Sequence, residues 1–126
     1  MNYKLRQENA LIGLDAMISE FPDLFNPLRP KPLAIGMTLQ LAKARRAGTL
    51  QITCMQQRLA MKLWLNRYNY HQCVAATPFR YNLDGSVFCV ISDDHRQHAI
   101  NELKSINKLK KARKVSVKKN QVKVEL

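Results

Sequence analysis

Hydrophobic positions recur at helical spacing near the start of the chain. Leu11, Leu14, Ile18 and Phe21 fall on one face, so the pattern predicts an amphipathic helix over 8–20, and Pro22 enforces its stop. FPDLFNPLRPKP (21–32) follows as a Pro-rich connector, packed through Phe21, Leu24 and Phe25. The next stretch, PLAIGMTLQLAKARRAG, reads two ways. Leu33, Ile35, Met37, Leu39 and Leu41 alternate as in a strand. Pro32 at a first helical position, the Ala/Lys/Arg-rich second half and Gly48 as a stop suit a helix, and length selects the helix.

Thr53 and Gln56 have the spacing of a capping box. A helix through RLAMKLWLNRY is expected to follow, with a further short helix near Tyr70 that ends before Pro78. Phe79–Leu83 and Ser86–Ile91 flank Asp84-Gly85, a tight-hairpin signal. Ser92 is an N-cap candidate, and Asp93 and Asp94 put negative charge in the first turn of a last helix expected to end near Lys108. Beyond it, Val115, Val117, Val122, Val124 and Leu126 alternate around KKNQ. That pattern allows a weak hairpin, but alone it is marginal in water, so a tail disordered without RNA is expected. The fold class is therefore mainly α with a small β-hairpin (α+β). It is one domain over 1–108 with a flexible basic tail over 109–126.

Composition agrees with one globular domain: 126 residues, 46% of them hydrophobic. No run of about eighteen apolar residues is present to span a membrane. MNYKLRQENALIGL carries charges where a signal peptide needs an apolar core, so a cytoplasmic location is expected. Cys54, Cys73 and Cys89 are odd in number and form no C-x-x-C pair, so buried small hydrophobes are the expectation.

Charge sharpens the picture. The net charge is +12, and residues 104–126 hold nine Lys/Arg against one Glu. Between Asp23 and Asp84 there is no acid, while Arg29, Lys31, Lys43, Arg45, Arg46, Arg58, Lys62, Arg67 and Arg80 fall in that interval. So long a stretch of one sign points to a polyanionic partner. If one helix runs on from Thr53, then Arg58, Lys62, Asn66 and Tyr70 line one face with Arg67 at its edge. Trp64 and Tyr68 go to the core on the other face. On the first hairpin strand Tyr81 points inward and Arg80 projects. Tyr70 then offers a ring for stacking. The plain alternative is a half-buried aromatic beside a solvated arginine.

FPDLF at 21–25, KPLAIGM at 31–37, the RYNY helix end, and FRYNLDG at 79–85 followed by Ser92 and His95 as S-x-x-H together resemble the ProQ/FinO domain of bacterial RNA chaperones. The resemblance covers roughly residues 8–105. It implies a small, mainly helical domain that binds structured RNA, especially terminator hairpins with a U-rich 3′ end, to stabilise small RNAs or promote RNA pairing. Carried over by position, the functional Tyr falls on Tyr70, the hairpin Arg on Arg80 and the basic helix positions on Arg58 and Lys62. The R-P-L-x-I-G motif falls on Lys31 to Gly36, with Lys31 in place of Arg. Ala34 and Asn69 stand where relatives often carry Lys and Arg, and Arg67 is placed to compensate for the second. The chain resembles a minimal member without a C-terminal β-domain.

The physics of the motif adds detail. Pro32 at a helix start would leave the amides of Leu33 and Ala34 unpartnered, and such amides suit a phosphate or a terminal ribose. Gly36 permits either close RNA approach or tight helix packing. The expected RNA-binding set is therefore Lys31, Leu33, Ala34, Gly36, Arg58, Lys62, Arg67, Tyr70 and Arg80. No cofactor and no metal are expected, and the chain is expected to be a monomer. A helix-turn-helix DNA binder and a ribosome-associated basic protein are the alternatives. Catalysis is not expected, because the acid-free stretch offers no paired carboxylates. Asp93 and Asp94, which with His95 and His98 could be imagined as a metal cluster, read instead as caps at a helix start.

Overall fold

A computed structural model describes residues 2–125, with side chains through Arg113. The order is α1 (Tyr3–Glu20), α2 (Met37–Arg46), α3 (Cys54–Leu65), α4 (Tyr68–Ala76), β1 (Phe79–Tyr81), β2 (Val87–Val90) and α5 (Asp93–Glu125). The mainly helical class with one antiparallel hairpin is as expected.

α1 starts earlier than its apolar stripe, because the Asn2 side chain accepts from Leu5 N and caps it. It packs against α3, and Gly13 is what lets the two helices meet. A Cβ there would run into the Gln56 carbonyl oxygen and come within 2.9 Å of the Ala60 methyl. The Thr53–Gln56 capping box is present in both directions, at 3.1 and 3.0 Å. Gln56 also donates to Asn9 Oδ1 at 3.1 Å, tying α3 to α1. The buried Gln57 donates to Thr38 O and accepts from Arg45 Nε, tying α3 to α2. Met17, Phe25, Leu41, Leu50 and Trp64 form the centre of the core, with Phe25 edge-on to Trp64 at 5.4 Å.

The helix expected over 32–48 forms only from Met37, and the 33–35–37 alternation does not make a strand: Ala34 is buried beside Leu33 while Ile35 is exposed in a turn. Leu33 forms an isolated parallel bridge with Tyr81 and is extended. Helix begins only at Met37, after Gly36 turns the chain at φ +87°. The hairpin is shorter than expected, and the backbones of Asn82 and Ser86 close its turn. Asp84 Oδ1 accepts from Ser86 N and Oγ, which holds the carboxyl below the usual range. Ser92 caps α5 through His95 N at 3.2 Å. α5 runs to Glu125, past the expected end near Lys108. The side chains of the valine alternation, and most of those in the 109–126 tail, lie outside the described residues. Cys54 is exposed at the start of α3, against expectation, because the capped first turn faces solvent; Cys73 and Cys89 are half-buried.

Candidate nucleic-acid interface

The continuous 58–62–66–70 stripe does not form. α3 ends at Leu65, and Arg67 is the extended N-cap of α4 (φ −72°, ψ 143°). Two non-helical residues reset the rotational phase, so Tyr70 leaves the face of Arg58 and Lys62. Both cations remain exposed on α3. Arg67 turns back, and its guanidinium sits 5.0 Å from the Trp64 ring centroid. Tyr68 is half-buried, with Lys110 Nζ 4.5 Å from its ring.

Tyr70 is not an exposed stacking platform. It is 7% accessible, and its hydroxyl accepts from Leu33 N at 3.1 Å. Burial raises its pKa, against the opposing pull of the Leu33 amide and the Arg80 charge. Arg80 does not project freely either. Its Nη1 donates to Leu33 O at 2.9 Å, and its Nη2 faces His95 Nδ1 at 3.2 Å. With arginine as the donor, that His95 nitrogen is the acceptor. The Nε of Arg80 is buried without a protein partner. Leu33 therefore gives its amide to one of these side chains and its carbonyl to the other. Neither it nor Ala34, whose N donates to Tyr81 O at 2.9 Å, offers an open amide. The expected cradle at 33–34 is overturned, because Pro32 begins a bridge segment rather than a helix.

The helix start lies three residues on, with the amides of Met37 and Leu39 donating to Ala34 O and Gly36 O. Gly36 is exposed, occupies the left-handed region and caps α2 without a side-chain bond. A Cβ there would meet no protein atom, so tight helix packing does not explain the glycine; its φ does. Lys31 is exposed beside this segment, with Nζ 5.3 Å from the Tyr81 ring centroid.

Tyr70 and Arg80 do come together, as walls of a groove of about 330 Å³ between α4 and α5. Asn66, His71, His95 and His98 share it, and none of its lining residues is acidic. All three histidines of the chain are there. Burial lowers the pKa of His71, which favours its neutral form. Beneath the groove, burial pushes the Cys73 thiol up to about 12, although the Arg80 charge pulls the other way. The groove histidines were absent from the expected set, although the Ser92-x-x-His95 spacing already marked one of them. Among the described residues no cluster suited to a metal occurs, and no helix is long and apolar enough to cross a membrane.

The ProQ/FINO family model matches residues 7–116. The chain belongs to this family. Curated ProQ/FINO relatives include the RNA chaperone ProQ of Shewanella pealeana, 30% identical over 93% of this chain and 54% of the relative. The RNA chaperone ProQ of Idiomarina loihiensis is 33% identical over 70% of this chain and 42% of the relative. The chain thus spans about half the length of the curated relatives it matches. The crystal structure of NMB1681 from Neisseria meningitidis MC58, a FinO-like RNA chaperone, superposes with a TM-score of 0.66. That match has 17% identity and covers 86% of this chain and 84% of the other. It places the fold in the FinO-like class.

Proposed function

We propose that the chain is an RNA-binding chaperone that takes terminator-type hairpins with a U-rich 3′ end, binding them without catalysing a reaction. The stem lies on Arg58 and Lys62. The 3′ end enters the groove over Arg80, and a phosphate near the end meets the start of α2 at Gly36. The observation that carries this reading is the state of the Arg80 guanidinium. A carbonyl and an imidazole hold it, no carboxylate lines its groove, and one donor is unmet. A half-buried cation with only neutral partners favours an anion, and a fork of donors suits phosphate. The helix dipole of α2 adds positive potential at Gly36.

The test is a titration of one terminator hairpin ending in U's with a 3′-hydroxyl, against the same RNA with a 3′-phosphate, and against a DNA duplex of matched sequence at one salt concentration. The 3′-hydroxyl RNA is expected to bind tightest, because a small groove has little room for added charge and bulk. Equal affinities for the three, with normal binding by a folded Arg80→Ala variant, would leave only a basic surface.

A further inference from the structure

A second cavity meets the groove at Asn66. Its volume is about 490 Å³, and it opens between the first turns of α1 and the last turns of α3. Helix geometry accounts for it. α1 and α3 run antiparallel and touch at Gly13, where a side chain would collide with Gln56 and Ala60. Ten residues back, about 15 Å along the axis, Tyr3 is 80% exposed and the helices leave a gap. Tyr3, Arg6 and Gln7 from α1 and Leu59, Lys62 and Leu63 from α3 present matched i, i+3, i+4 positions to that gap, with Asn66 at the α3 C-cap beside them. The chemistry is mixed in a particular way. One ring stands at the lip, an apolar side chain forms the floor, two carboxamides can meet hydrogen-bonding edges, and two cations lie beside them. None of the lining residues is acidic.

We propose that this cavity is a nucleotide subsite that takes one unpaired nucleotide, with the base against Tyr3 and Leu59 and the phosphate between Arg6 and Lys62. A ring and an apolar floor accept any base face, the carboxamides of Gln7 and Asn66 reach base edges, and the cavity has the size of ordinary ligand sites. Asn66 lines both this cavity and the Arg80 groove, and Lys62 belongs to the exposed stripe. An RNA whose 3′ end occupies the groove can therefore place an unpaired nucleotide from the opposite strand here. That source rests on the RNA-binding reading above; a free nucleotide shares the same chemistry.

The experiment is an anisotropy titration of the full chain with a U-tailed hairpin, with and without a few unpaired nucleotides 5′ of the stem. A parallel arm titrates adenosine and uridine monophosphates and follows the NMR signals of Tyr3 and Leu59. The flank is expected to tighten binding by the wild type. Tyr3→Ala should weaken the flanked RNA about five- to a hundredfold, the worth of one base–aromatic stack. It should leave the unflanked RNA unchanged, and Tyr3→Phe should retain the gain. Tyr3 is so exposed that its removal does not threaten the fold. Equal loss on both RNAs, or loss on neither, overturns the subsite for RNA. If neither hairpin binds the wild type, the RNA reading fails and the monophosphate arm decides. Shifts at Tyr3 and Leu59 that vanish in Arg6→Ala then establish a free-nucleotide site, and no shifts overturn the cavity altogether.

Discussion

Two cationic regions of this molecule differ in kind. Arg58 and Lys62 stand exposed one helical turn apart. Arg80 is half-buried, and its guanidinium is fixed by the Leu33 carbonyl and His95. The first region supplies charge that any phosphate can use and that salt screens. The second supplies charge in one orientation, held before a ligand arrives, so geometry as well as sign can be read. Count of cations alone would rank the regions in the wrong order.

The sharpest way to break the comparison is Arg80→Ala. If Arg80 is the oriented contact, affinity for the 3′-hydroxyl hairpin should fall about a hundredfold or more, and Arg80→Lys should not restore it, because an ammonium lacks the fork. Parallel titrations of the two variants would show this, and rescue by lysine would reduce Arg80 to a point charge. Next is Tyr70→Phe. Removing the hydroxyl leaves the buried Leu33 amide without its acceptor, which should cost about 1–3 kcal/mol of stability in urea unfolding. An unchanged midpoint would mean that Tyr70 does not hold the Leu33 segment in place.

Arg58→Ala and Lys62→Ala should behave differently. Each should weaken hairpin binding severalfold and lower the salt slope by about one unit, with stability unchanged because both side chains are solvated. The smallest effect concerns the thiols. Cys54 is exposed, whereas Cys73 is packed beneath the groove with its pKa pushed up to about 12. Thiol alkylation at pH 8, read by mass spectrometry, should modify Cys54 first and spare Cys73. Early modification of Cys73 would mean that the Arg80 side is more open than it looks.

Local signals were legible in the sequence wherever one residue decides the structure. Thr53, Gln56, Ser92 and Asp84-Gly85 each act within four residues, so spacing alone revealed them. The pairing of Tyr70 with Arg80 was legible through family resemblance. Their burial was not, because it depends on where a helix breaks. Asn66 and Arg67 end one helix and cap the next without a Pro or Gly to announce it, and a helical pattern carried across that break puts Tyr70 on the wrong face. The segment from Pro32 to Leu41 was misread for a related reason. Its first residues form an isolated bridge and a turn, with Ala34 buried and Ile35 exposed against the alternation, and the helix begins only after Gly36 with its positive φ.

Gln56 closes its capping box as the third residue of α3, is the partner of Asn9 and supplies the carbonyl against which Gly13 packs. These ties act as a key in a keyway, setting the angular position of everything downstream on the same helix. Arg58 and Lys62 inherit their direction from that lock. Inserting a single residue between Gln56 and Arg58 would preserve composition, charge and helical propensity, yet swing both cations by about 100° around the axis and leave a protein as basic as before that points its charge elsewhere.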